Sequence, residues 1–144
     1  MKAKVLALSF LAVSALVSCS VINDDGFPEQ NDSVVTANYL VSGTVKDEDG
    51  TPVPGIMVVA DHSSEKAGCR PDTLYTDKGG KYSKFFSAPL VERFSLRFSD
   101  IDGDANGGEF EAMTEYVVPL LTEVSSGYFG GSFLVTADVE LRRK

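Results

Sequence analysis

The sequence predicts an all-β fold, an antiparallel sandwich of about seven short strands, on three observations. From Tyr39 to the C-terminus apolar and polar residues alternate with a period of two, as a half-buried strand requires of its two faces. Clusters of Asp, Gly, Pro and Asn interrupt that alternation at frequent intervals. No window of about 11 residues carries a helical apolar stripe. Residues 38–144 therefore read as one β domain, with no second domain and no internal repeat.

The first strand places Tyr39, Val41, Gly43 and Val45 on one face and Leu40, Ser42, Thr44 and Lys46 on the other. It ends in KDEDGTPVPG, where Asp49-Gly50 supplies a positive φ and Pro52 and Pro54 block further ladder pairing. Ile56, Val58 and Ala60 then alternate with Met57, Val59 and Asp61. Asp72 to Thr76 and Tyr82 to Phe86 flank Asp77-Lys78-Gly79-Gly80 and are expected to pair as a hairpin. Phe94, Leu96 and Phe98 point inward between Arg93, Ser95, Arg97 and Ser99. Tyr116 to Leu121 makes a strand that Pro119 confines to an edge or a bulge. Val135, Ala137, Val139 and Leu141 form the last strand.

Ahead of this domain, Lys2 and Lys4, the apolar run Val5 to Val17 and the small residues before Cys19 read as an export signal. The run is shorter than the roughly 20 apolar residues of a membrane span, and it lacks the polar face of a helix packed on a soluble domain. Leu16-Val17-Ser18-Cys19 resembles the lipobox of bacterial lipoproteins. That resemblance implies that residues 1–18 are a signal peptide cleaved before Cys19, and that Cys19 carries lipid, palmitate included, on its sulfur and on its new amino group. Several acyl chains exceed what stable anchoring needs, so the mature protein is expected to stay on a membrane. Residues 19–37 lack periodicity and are rich in Asp, Asn, Ser and Pro, the composition of a flexible tether. Asp24 and Asp25 resemble the outward-export signal of Bacteroidetes-type lipoproteins, which implies the outer membrane, facing the periplasm or the cell surface.

The formal charge of the whole chain is −8, and loss of Lys2 and Lys4 with the signal would bring it to −10. Such a surface excludes nucleic acid and anionic headgroups as partners. With Cys19 lipidated, Cys69 is the one remaining thiol, so no intramolecular disulfide can form. It is either a buried small hydrophobe or a thiol able to pair between chains.

VSGTVKDEDGTPVPGIMVVA followed by DTLYTDKGGKYS resembles the carboxypeptidase-regulatory-like module over about residues 38 to 99. The resemblance implies a transthyretin-like, immunoglobulin-like β-sandwich that serves as a spacer, scaffold or binding module on secreted and outer-membrane proteins. Over most of the mature chain, the lipobox, the Val-x-Gly-x-Val strand, DTLYTDKGGKYS and DIDGDANGGEFE together resemble the lipoproteins encoded beside radical-SAM enzymes in Bacteroidetes. What this implies is an association: the protein as partner or substrate of a radical-SAM maturation system acting before secretion.

The chemistry-bearing candidates are few. In DIDGDANGGEFE, Asp100, Asp102, Asp104, Asn106 and Glu111 take the spacing of EF-hand ligands. Ala105 stands where that loop needs glycine and the flanks read as strands, so an EF-hand is not expected and two readings stand: an acidic turn chosen for its backbone geometry, or a Ca²⁺ loop between two strands. Tyr128 and Phe129, between glycines in SSGYFGGSF, are candidate aromatics at a hairpin tip for a protein or glycan ligand. His62 and Cys69 could form a nucleophile pair, but no third group orients them. No Gly-x-Ser-x-Gly elbow, phosphate-cradling loop, zinc spacing or dinucleotide fingerprint occurs. The expectation is a membrane-anchored, non-catalytic binding or structural module, with a small surface hydrolase as the enzymatic alternative.

Overall fold

The structure, a computed structural model, describes residues 34–62, 70–124 and 129–144. The expected signal segment, Cys19, all of the tether up to residue 33, Cys69 and Tyr128 lie outside the described residues. Period-two alternation becomes nine strands among the described residues: β1 (Thr36–Asp47), β2 (Met57–Asp61), β3 (Asp72–Tyr75), β4 (Lys81–Pro89), β5 (Phe94–Ser99), β6 (Met113–Val117), β7 (Leu120–Glu123), β8 (Phe129–Thr136) and β9 (Val139–Leu141). A single 3-10 turn, Ala105–Gly107, follows β5. The strands form two sheets, ordered β4-β1-β8-β7 and β3-β2-β5-β6, with β9 joining the C-terminal end of β1. The expected all-β sandwich is what the chain forms.

Each inner face follows from the alternation. Ala37, Tyr39, Val41 and Val45 of β1 meet Val58, Ala60, Phe94, Leu96 and Phe98 of the second sheet, and all are buried. Tyr39 sits at the centre, its ring 4.8 Å from Phe94 edge-on and 5.5 Å from Phe133. Its hydroxyl donates to the Pro89 carbonyl at 3.3 Å and accepts the Val91 N–H at 3.1 Å, which satisfies a polar atom within an apolar layer. Burial pushes the phenol pKa up, partly offset by the Val91 N–H.

Three expectations change. The Asp77 turn forms as read: its carboxylate accepts the N–H groups of Gly79 at 2.8 Å and Lys81 at 2.9 Å, and Gly80 takes φ 69°. The flanking strands do not make a hairpin, however, because β3 pairs with β2 while β4 pairs with β1 in the other sheet. The turn is a corner between sheets. Likewise Tyr116 to Leu121 is two strands, since Pro119 can donate no ladder bond and the chain changes sheet between β6 and β7. Finally, the sandwich is not wholly antiparallel: β1 pairs in parallel with β8 and then with β9.

The step from β8 to β9 keeps the chain on the same strand. The Ala137 N–H donates to the Ser42 carbonyl at 3.1 Å, and the Asp138 carboxylate accepts from the Thr44 N–H at 2.8 Å and its hydroxyl at 2.7 Å. Opposite this step lies Gly43, where a Cβ would collide with the Ala137 carbonyl oxygen and stand 2.6 Å from the Tyr82 hydroxyl. Gly43→Ala is therefore expected to lose at least about 2 kcal/mol of unfolding free energy, the cost of overpacking against backbone. Urea denaturation checks this, with a wild-type midpoint in the variant as the contrary result.

Candidate functional site

DIDGDANGGEFE folds as a self-closed loop. Asp100 accepts the Asp102 N–H at 3.1 Å through Oδ1 and the Phe110 N–H at 3.0 Å through Oδ2, joining the two ends of the segment. The Asp102 carboxylate accepts from the Asn106 amide, and Asn106 itself takes the left-handed conformation at φ 56°. The strand-like end of the loop is bound by the C-terminus: Glu111 N–H donates to Arg142 O at 2.8 Å and Lys144 N–H to Glu109 O at 3.0 Å. Lys144 Nζ meets Glu109 Oε1 at 2.6 Å, and this carboxylate raises the lysine pKa.

Arg143 completes the arrangement. It donates to the Gly107 carbonyl at 2.8 Å and to Asp47 Oδ2 at 2.6 Å, and its guanidinium lies 5.6 Å from the Phe110 ring centre. Asp47 is 1% exposed and its other oxygen accepts the N–H groups of Thr51 at 2.8 Å and Asp49 at 3.0 Å. The Arg143 hydrogen bond, followed by the Thr51 N–H, holds the Asp47 carboxyl below the usual carboxylate range. Of the two readings of this segment, these contacts support the acidic turn. Asp100, Asp102, Asp104, Asn106 and Glu111 are not gathered about one point, and among the described residues no three His, Cys, Asp or Glu side chains come together to hold a metal ion. Asp100 is met by backbone N–H groups, Asp102 by the Asn106 amide and Glu109 by Lys144, while Arg143 reaches the loop through the Gly107 carbonyl.

The other expected sites also change character. Phe129 is half-buried as the first residue of β8, opposite Thr36, so it is no exposed tip. His62 is 5% exposed just beyond β2, with Nε2 3.4 Å from Asp72 Oδ2 and its ring 5.3 Å from Phe86. Asp72 also takes Lys84 Nζ at 2.6 Å. The imidazole is thus packed against a ring and an ion pair.

What alternation alone did not assemble is the outer face of the second sheet. Register places Tyr75, Met57 and Ser99 in one row, Thr73, Val59, Arg97 and Thr114 in the next, and Asp61, Ser95 and Tyr116 in a third. Their paired neighbours Leu74, Val58, Phe98, Ala60, Leu96 and Phe94 point into the core. Tyr75 and Tyr116 are 57% and 64% exposed. The Arg93 guanidinium lies 5.0 Å from the Tyr116 ring centre, a cation over an aromatic face. Beside this pair, Asp61, Arg93, Ser95 and Tyr116 line a shallow depression of about 180 Å³. Arg97 is exposed and has no ion pair among the described residues. The sequence signal for this face was present: Met57, Val59, Arg97 and Tyr116 are the outward positions of strands whose inward positions are apolar.

No family model matches the chain, and no curated protein matches it. Solved structures do. Catechol 1,2-dioxygenase from Acinetobacter radioresistens matches with TM-score 0.54 at 14% identity, over 81% of this chain and 55% of that one. 3-Chlorocatechol 1,2-dioxygenase from Rhodococcus opacus gives 0.51 at 10% identity, over 74% and 60%. The dioxygenase domain of a dioxygenase carbohydrate-binding protein fusion from a Streptomyces species gives 0.52 at 14% identity, over 78% and 84%. This chain spans little more than half the length of the first two. At such identity the likeness is one of fold.

It nevertheless corrects the expectation that the module is non-catalytic. The three solved structures named above are enzymes, so the sandwich architecture does not count against catalysis. Their reaction is not carried over with the fold. Transition-metal centres for oxygen chemistry draw on imidazole and carboxylate ligands; the chain has one histidine, and it is turned onto Asp72 and Phe86. The residues present do not fit such a centre.

The Asp47–Arg143 pair sets a pH dependence. A carboxyl whose folded pKa is depressed contributes its full stability above the ordinary aspartate value and loses it as pH falls through the folded value. Unfolding free energy of the wild type should therefore fall steeply below about pH 4, and Asp47→Asn should be less stable at neutral pH with a shallower acid limb. Urea titrations across that range decide it; parallel acid limbs would mean that the clamp carries no net charge pairing.

Proposed function

We propose that this chain is an exported lipoprotein whose β-sandwich is held at the outer membrane by lipid on Cys19 and serves as a binding module for an acidic protein partner. The observation that carries the reading is the outer face of the second sheet, where Tyr75, Tyr116, Met57, Arg93 and Arg97 share one surface. Tyrosine, methionine and arginine are the residues over-represented at the energetic centres of protein interfaces. On a chain of net charge −8, a face carrying two guanidinium groups against the one carboxylate of Asp61 is locally positive and attracts a negatively charged partner. Lys2, Lys4, the apolar run and Leu16-Val17-Ser18-Cys19 support export and lipidation.

Two measurements test the two halves separately. Cys19→Ala should abolish palmitate labelling and leave an unprocessed precursor; normal labelling would refute lipidation. A photo-crosslinker introduced at Thr114, beside Arg97 on the second sheet, should give a discrete adduct in cells that Arg97→Glu weakens about tenfold, the loss of roughly 1.4 kcal/mol. The same probe at Ser83, on the first sheet, should not give that adduct. Equal adducts from both positions, insensitive to Arg97→Glu, would remove this face from the reading.

A further inference from the structure

Asn106-Gly107 is the only Asn-Gly pair in the chain, and the binding reading makes no use of it. A glycine lets its backbone nitrogen approach the preceding asparagine side chain with no Cβ in the way. This dipeptide is therefore where a chain most readily closes on itself. Both residues are exposed in the 3-10 turn Ala105–Gly107, and a Cβ on Gly107 would meet nothing within 4 Å.

Two contacts hold the pair. The Asn106 amide donates to the Asp102 carboxylate, and the Arg143 guanidinium donates to the Gly107 carbonyl at 2.8 Å. The Asp102–Asn106 contact lies over the Pro54-Gly55 turn, where a Cβ on Gly55 would stand 2.7 Å from Asp102 Oδ2 and 3.0 Å from Asn106 Nδ2. Asn106 sits at φ 56° and ψ 34°. Bringing the Gly107 nitrogen onto the Asn106 side-chain carbonyl requires rotation about the Asn106 Cα–C bond, and that rotation pulls the pair away from both partners.

We propose that Asn106 is a site of spontaneous deamidation gated by these two contacts, and that its conversion prevents the loop from closing again. In the open loop the Gly107 nitrogen attacks Cγ of Asn106. A new C–N bond forms, the Cγ–Nδ2 bond breaks, and the Gly107 N–H proton leaves with Nδ2 as ammonia. Water then opens the five-membered imide: attack at Cγ gives aspartate, and attack at the backbone carbonyl gives isoaspartate, in which the chain runs through the side chain. Neither product rebuilds the closed loop. Aspartate puts a second carboxylate where Asp102 had a donor, and like charges repel. Isoaspartate lengthens the main chain by one carbon and displaces the Gly107 carbonyl from Arg143. The opening is a reversible local fluctuation, whereas the chemistry that follows runs one way.

The test is peptide-resolved mass spectrometry of the full-length protein in mild detergent at mildly alkaline pH, with and without guanidinium chloride at an unfolding concentration. The mass gain of amide-to-acid conversion should appear at Asn106, at least about tenfold more slowly in the folded wild type than in the unfolded chain, the factor that one hydrogen bond to a charged group supplies. Asp102 is exposed, so Asp102→Ala should keep the wild-type circular dichroism and convert faster than the folded wild type. Arg143→Ala should do likewise where it folds. Asn106→Asp should unfold at lower urea than the wild type. No conversion in the unfolded chain overturns the proposal, as do equal rates in folded and unfolded protein, an Asp102→Ala rate equal to that of the wild type, or an Asn106→Asp variant as stable as the wild type. None of these results bears on the second-sheet surface, which shares no residue with the loop.

Discussion

β1 is bonded along both edges, to β4 on one side and to β8 then β9 on the other, so the whole first sheet takes its order from this one strand. The tightest point along it is Gly43, over which the Tyr82 hydroxyl donates to the Ala137 carbonyl at 2.6 Å. Burial pushes the Tyr82 phenol pKa up, as expected of a neutral donor kept for that bond. Because backbone passes so near Gly43, the chain leaves β8 and re-enters the ladder as β9 without changing neighbours. The C-terminal Arg142-Arg143-Lys144 is thereby delivered beside Asp47 and the acidic loop. A close backbone approach in the sheet thus decides which cations meet which acids some distance away.

The alternation within each strand was legible because it has one physical cause, a core on one side and water on the other. Phe94, Leu96 and Phe98 could hardly be placed otherwise. Which sheet a strand joins was not legible. Asp77 builds the same hydrogen-bonded turn whether the next strand folds back or crosses to the other layer, and only packing of β4 on β1 distinguishes the two. Pro119 announced a break but not the change of sheet. The parallel partnership of β1 with β8 joins residues almost a hundred apart, beyond the reach of any local signal. The two readings of the acidic segment, Ca²⁺ loop or turn, could not be separated for the same reason: the lysine that meets Glu109 comes from the far end of the chain.

The two outer faces were half legible. Outward residues of each strand could be read off, but a surface exists only after register fixes which lie abreast. Leu40 and Leu134 are unremarkable as single half-buried residues in separate strands; with Phe85 and Leu120 they become a row. Tyr75 and Tyr116 lie on opposite margins of their sheet, with Met57, Val59 and Arg97 between. Single exposed apolar residues need no explanation, whereas aligned ones on a sheet face do.

Back-to-back sheets give these faces a geometric relation. The inner faces share one core, so the neutral row and the Tyr–Arg surface look in opposite directions. Charge is segregated along with them: Arg93 and Arg97 lie on one outer face beside Asp61, the other face is nearly neutral, and the C-terminal cations meet Asp47 and Glu109 at the domain's edge.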